Sequence, residues 1–266
     1  DYGTAIGYNA AENATSAVRL VAIGKAAAPN LQGGDNNTAV GASSLGTISG
    51  TDNVAVGYVA LNANSGNQNT AIGRSALQSF TGGNAVAVGY AAADSAVSQT
   101  NLVAVGRDAL GAATSGNNNT AVGYASLQTV DGAGNTAVGS TALNADCADN
   151  NTAVGYYAGA TITGQRNTTV GAFALDGTDD GNYNSALGYG ALSVNCADYN
   201  TGLGYYALNV FTGSNATAIG SGAADVAVSN ANMTAVGLNA LGAATSGDNN
   251  TAVGANCLAS TVDGAQ

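Results

Sequence analysis

The 266 residues carry five Lys or Arg against sixteen Asp or Glu, a formal net charge of -11, with no His and no Trp. So acidic a chain excludes nucleic acid as a partner, which needs a basic surface, and no apolar run approaches the ~18–20 residues that span a bilayer, so membrane insertion is not expected. Without His and with scattered carboxylates, no catalytic triad, acidic dyad or zinc cluster can be assembled, so the chain reads as no enzyme and implies no cofactor.

In chain order, one phrase recurs from end to end, as in Asn119-Thr120-Ala121-Val122-Gly123. Its glycine stands at 7, 24, 41, 57, 73, 89, 106, 123, 139, 155, 171, 188, 204, 220, 237 and 254, always 16 or 17 residues apart. A short fixed period of this kind is the mark of a stacked-coil architecture. Counted from each glycine as zero, position -1 is always Val, Ile or Leu, position -3 is Thr, Ser or Val, and position -2 is Ala except at Thr169 and Gly202. Position +4 is Leu in eleven coils, and position -4 is Asn in ten, Asn119 and Asn151 among them.

These columns predict an all-β chain, a parallel β-solenoid of about 16 coils of 16–17 residues, continuous as a single domain over 1–266 and open at both ends. Side chains in a strand alternate with period two, so -3 and -1 share a direction. The expectation is two short strands per coil, with the -1 column (Ile6, Val40, Val122, Val154, Val253) forming an internal aliphatic ladder faced by Leu at +4. The Ala column then falls on the outer face, and Asn at -4 stacks as an amide ladder. A helical reading fails on the glycine and β-branched content and on the lack of a 3.6-residue period.

A longer period overlies the first. The stretch from Asn101 to Gly116 is nearly copied from Asn232 to Gly247, 131 residues on. The coils beginning at Gly7, Gly89 and Gly220 lack Leu at +4 and carry Leu20, Leu102 or Met233 where others have Asn. Duplication of multi-coil blocks explains this better than selection for a site.

Three features could carry a ligand or a partner. Tyr at +1 (Tyr8, Tyr58, Tyr90, Tyr124, Tyr156, Tyr189, Tyr205) forms a broken column, either a corner covering or a stripe that grips a sugar or a protein. The loop holding Asp176, Asp179 and Asp180 is the densest acidic stretch and the one calcium candidate, although it lacks the spacing of a known calcium loop. Thr at -3 makes a ladder of hydroxyls and methyls that could order ice. Against this stand the interruptions at Val21, Val54, Val86 and Val103 and the direction it shares with the aliphatic column expected inside. Cys147, Cys196 and Cys257 read either as small buried thiols or as bonds between neighbouring chains.

So narrow a coil barely offsets the entropy of ordering it. An apolar outer stripe of such length calls for cover. The expected partner is therefore the chain itself, as a homotrimer or as a head-to-tail filament through its open ends.

Asn84-Ala85-Val86-Ala87-Val88-Gly89 and Asn101-Leu102-Val103-Ala104-Val105-Gly106 resemble the Asn-x-Val-Ala-Ile-Gly repeat of trimeric autotransporter adhesin heads. The phrase Asn151-Thr152-Ala153-Val154-Gly155-Tyr156 is similar to repeats of bacterial and phage tail-fibre-like proteins. This resemblance covers essentially the whole chain. It implies a left-handed β-roll, three chains side by side, and display outside the cell or on a virion for attachment to a host-surface glycan or protein. The adhesin-head repeat is shorter, about 14 residues.

The function expected is that of a structural protein of an extracellular fibre or filament. The rivals are a receptor-binding adhesin or tail-fibre head and, behind both, an ice-binding protein.

Overall fold

The computed structural model describes residues 3–15, 18–47, 50–63, 65–177, 180–227, 231–243 and 247–259. Among them it contains strands and turns and no helix. The chain divides into two units, Asp1–Gly134 and Asn135–Gln266, and each is a parallel β-solenoid.

In the first unit β1 (Thr4–Ile6), β2 (Val21–Ile23), β3 (Thr38–Val40), β4 (Val54–Val56), β5 (Thr70–Ile72), β6 (Gly83–Val88), β7 (Thr100–Val105) and β8 (Thr120–Val122) pair in chain order. In the second, β9 (Thr136–Val138), β10 (Thr152–Val154), β11 (Thr168–Val170), β12 (Ser185–Leu187), β13 (Thr201–Leu203), β14 (Thr217–Ile219), β15 (Thr234–Val236) and β16 (Thr251–Val253) do the same. The register is the one the columns dictate: Thr201 lies beside Thr217, Gly202 beside Ala218 and Leu203 beside Ile219.

Two expectations are corrected. Each coil holds one strand, not two: after the glycine the chain runs through a chain of turns, and Leu at +4 sits in a turn. The strand also faces the other way. From β2 to β16 the central residue is buried, whereas -3 and -1 are half-buried or exposed. Ala153 is 0% exposed beside Val154 at 39%, and Ile6 and Val253 reach 58% and 68%. Val40 and Val122 are half-buried. The aliphatic ladder lies outside the coil, and the Ala column inside. Alternation tells which residues share a face without telling which face is inner. Here the inner space is already taken by Leu at +4 and Asn at -4, so only a methyl fits between them; the one larger residue, Thr169, is buried where the neighbouring +4 position is Gly159.

The turns explain the column identities. Three positions per coil adopt the left-handed conformation: -5, as at Tyr199 (φ 63°), +2, as at Tyr206 (φ 53°), and +4, as at Leu208 (φ 56°). A β-branched residue is strongly disfavoured there, and +4 holds only Leu, Ala or Gly throughout. At position zero the demand is stricter. Gly204 has φ +141°, and a Cβ on it would lie 2.4 Å from the carbonyl oxygen of Gly220 in the next coil. Glycine recurs because coils touch backbone to backbone at this corner.

The core is thus a set of short columns: Asn at -4, Ala at -2, Ala or Ser at +3, Leu at +4 and a plug at +7 or +8. The plug varies, with Leu31, Phe80, Val130, Cys147, Ile162, Cys196 and Phe211 all buried. Where it is largest its neighbour shrinks. Phe80 and Phe211 are each followed at the next -4 by Ala (Ala85, Ala216), and the coils after them carry Ala at +4 (Ala93, Ala224) with Leu102 or Met233 at the next -4. Such exchanges hold the volume of a close-packed interior nearly constant.

Candidate binding surfaces

Two polar ladders hold successive coils together. The amide oxygen of each internal Asn accepts the backbone N–H of the next -4 residue: Asn53 donates to Asn37 at 2.9 Å, Asn69 to Asn53 at 2.9 Å, and Asn200 to Asn184 at 2.8 Å. In most of them Nδ2 also donates to backbone carbonyls, as Asn119 does to Gly132 at 2.8 Å and Asn151 to Gly164 at 2.9 Å, whereas the buried Nδ2 of Asn184 finds no hydrogen-bond acceptor among the described residues. The rungs are therefore side chain to backbone, not amide to amide. The second ladder, at -6, was missed in the sequence. There Asn or Asp oxygens accept N–H groups from the preceding coil, as Asn182 does from Gln165 at 3.0 Å and Asp198 from Asn182 at 2.7 Å. The recurrence of Asn and Asp six residues before the glycine (Asp35, Asn67, Asn117, Asn182, Asp198, Asp248) was the available signal.

The outward strand face is uncharged at -3 and -1 in both units. In the second unit its -3 file is unbroken in hydroxyls: Thr136, Thr152, Thr168, Ser185, Thr201, Thr217, Thr234 and Thr251. Alongside runs the aliphatic file, in which Val138, Val154, Leu187, Leu203, Ile219 and Val253 are all exposed. At ~4.8 Å between strands, eight strands make a strip ~34 Å long.

The Tyr column lies exposed at the corner after the glycine: Tyr8, Tyr58, Tyr90, Tyr124, Tyr156, Tyr189 and Tyr205. In the first unit two arginines fill its gaps. The Arg74 guanidinium lies 5.5 Å and 5.8 Å from the ring centres of Tyr58 and Tyr90, and Arg107 lies 5.5 Å and 6.0 Å from those of Tyr90 and Tyr124. This is a cation–π ladder. In the second unit the column widens into an aromatic tract of Tyr156, Tyr157, Phe173, Tyr189, Tyr205 and Tyr206, with centroids 4.3–5.8 Å apart and no cation.

Of the calcium candidates, Asp179 lies outside the described residues. Asp176 is half-buried beside the aromatic tract, where burial pushes its carboxyl above the ordinary range. Asp180 lines a separate polar groove of about 580 Å³ with Asp198, Tyr199 and Asn215. Among the described residues no group of three or more His, Cys, Asp or Glu is placed to hold a metal ion. Cys147 and Cys196 are buried and Cys257 half-buried, all as free thiols. Burial pushes the Cys147 thiol up to about 12, so it stays protonated at neutral pH. No helix of the described residues is long and apolar enough to cross a membrane. No family model and no curated protein matches the chain.

Proposed function

We propose that this is a non-enzymatic structural protein whose strand faces associate with those of other copies to build an extracellular fibre. The supporting observation is the uncovered aliphatic file at -1. Val, Ile and Leu stand exposed or half-buried on successive parallel strands, exposed at Val154, Leu187, Leu203 and Ile219, while the coil interior is filled by Ala, Asn and Leu. A continuous apolar strip flanked by polar corners is an association surface, and identical files from several copies can interdigitate. Homotrimers and longer bundles both satisfy this.

Sedimentation and negative-stain microscopy of the purified chain test it. The chain forms oligomers or filaments, and a Val154→Glu, Leu187→Glu, Leu203→Glu variant is monomeric with an unchanged far-UV spectrum, since all three side chains point away from the core. A wild-type chain that stays monomeric at high concentration sinks the reading. A discrete oligomer that binds a host ligand points instead to a receptor-binding adhesin or tail-fibre head.

One observation favours a second reading, ice binding. The Thr file shares its direction with the aliphatic file, and both lie outside, which removes the main sequence-based objection. Seven threonines and one serine in line on the second unit make a regular, uncharged array of hydroxyls and methyls. Thermal hysteresis measured on the monomeric fraction decides it, and an absence of hysteresis eliminates it.

A further inference from the structure

The aromatic tract of the second unit borders an open groove of about 330 Å³ lined by Phe173, Asp176, Tyr189, Ser193, Tyr206 and Asn209. This is at the small end of ligand sites, ~300–1,000 Å³. Its walls stand at angles to one another: the Tyr189 ring makes 72° with Phe173 and 84° with Tyr206, at centroid separations of 5.7 and 5.4 Å. Rings so arranged form the sides of a box, not the flat platform on which a sugar ring stacks. Gly190 makes the box possible. It sits at φ +60°, and a Cβ there would fall 2.4 Å from the Tyr206 ring.

The carboxylate at the edge of the box is Asp176. Among the described residues its side chain has only its own backbone N–H as a hydrogen-bond partner, and burial raises its protonation midpoint. Nothing within the unit can serve as its counter-ion. Residues 135–266 carry nine acidic groups against a single cation, Arg166, and that guanidinium lies 5.4 Å from the ring centre of Tyr183, a residue outside the groove. The first unit shows what this corner does when a cation is supplied, since Arg74 and Arg107 each sit between two tyrosines.

We propose that the Phe173–Tyr189–Tyr206 box with Asp176 at its edge is a binding site for a small quaternary ammonium ion of the choline type. Aromatic faces attract a diffuse, weakly hydrated cation through their quadrupole, and the carboxylate adds Coulombic attraction in a partly desolvated setting. The surrounding negative charge disfavours phosphate, sulfate and other anionic ligands.

NMR titration of the whole chain with choline, followed at the tyrosine ring protons, tests this. Ammonium chloride at equal ionic strength and 3,3-dimethyl-1-butanol, the neutral shape analogue of choline, serve as controls. Choline produces saturable shifts of the Tyr189 and Tyr206 signals, and neither control does. Asp176→Asn and Tyr189→Ala each weaken binding at least tenfold, while Tyr58→Ala in the first unit leaves it unchanged. Gly190→Ala, which displaces the Tyr206 ring, also weakens it. Asp176→Asn and Tyr189→Ala both keep the native far-UV spectrum, so a loss is not unfolding. Equal binding of the neutral analogue, saturation by a neutral sugar in place of choline, or an Asp176→Asn variant that binds as well as the parent overturns the proposal. The readout is independent of self-association and can be taken on the monomeric Glu variant.

Discussion

The amide oxygen of Asn151 accepts the backbone N–H of Asn167 at 2.8 Å, while its Nδ2 donates to the carbonyls of Ala148 at 3.0 Å and Gly164 at 2.9 Å. One buried side chain thus serves three backbone groups that the short strands leave unserved.

Asn151→Ala therefore strands a buried N–H and two carbonyls. Each net hydrogen bond contributes about 0.5–1.5 kcal/mol, and an orphaned buried group costs about 1–3. The expected loss is about 2–4 kcal/mol by urea denaturation. Asn151→Asp keeps the acceptor but sets a charge against two carbonyls, and loses at least as much. An Asn151→Ala protein as stable as the parent would remove the ladder from the account of stability.

Gly204→Ala places a methyl 2.4 Å from the Gly220 carbonyl oxygen on a backbone at φ +141°. The clash is with backbone and cannot be relieved by a side-chain rotation, so the cost is about 3 kcal/mol or more, at or above the top of the usual range for single substitutions. Thermal unfolding followed by circular dichroism measures it.

Leu192 is fully buried at φ +53°. Leu192→Ala opens a cavity and costs about 2–5 kcal/mol. Leu192→Ile keeps the volume yet puts a β-branched residue in the left-handed region. It is expected to lose about 2 kcal/mol or more, well above the usual cost of such an exchange. Equal stability of the Ile variant and the parent would show that packing alone, not backbone conformation, selects Leu at +4.

Two aspartates respond to acid with opposite sign. Burial by itself raises the Asp131 carboxyl, but hydrogen bonds from the backbone and hydroxyl groups of Thr114 and Ser115 outweigh it and hold it below the ordinary value. Its stabilising contribution is full above the unfolded-state value and is lost as pH falls through the folded one. Asp176 is raised instead. Its charged form penalises the fold above the raised value, and that penalty disappears as pH drops to the ordinary range. Asp131→Asn should therefore destabilise at neutral pH, and Asp176→Asn should stabilise, with both differences from the parent shrinking in acid. Melting curves between about pH 7 and 3 follow both. Matching signs for the two variants would contradict this assignment.

The period, the parallel register and the existence of an Asn column were legible in the sequence because each is a property of one residue type at one spacing; that the Asn column is internal and bonds to backbone was not. The inward and outward sense of the strand was not. Ala and Val are both apolar, and the deciding fact, that Leu208 and its equivalents fold back from a left-handed turn to fill the coil, depends on backbone geometry that spacing does not encode. The second strand failed for the same reason, since Leu at +4 with a small residue before it looks like a strand start. The Tyr column was visible as a column. Its mate was hidden because Phe173 and Tyr206 sit at +2, where most coils carry small or polar residues, and only stacking brings them beside Tyr189.

The size exchange around Phe80, Ala85, Ala93 and Leu102 has a consequence for how such chains lengthen or shorten. Crossing-over at an arbitrary glycine would preserve phase but could set a phenylalanine plug before an asparagine, leaving one layer overfilled and the next hollow. Viable recombinants must inherit that run intact, as the set at Phe211, Ala216, Ala224 and Met233 did, so the heritable module is several layers deep even though the visible repeat is one.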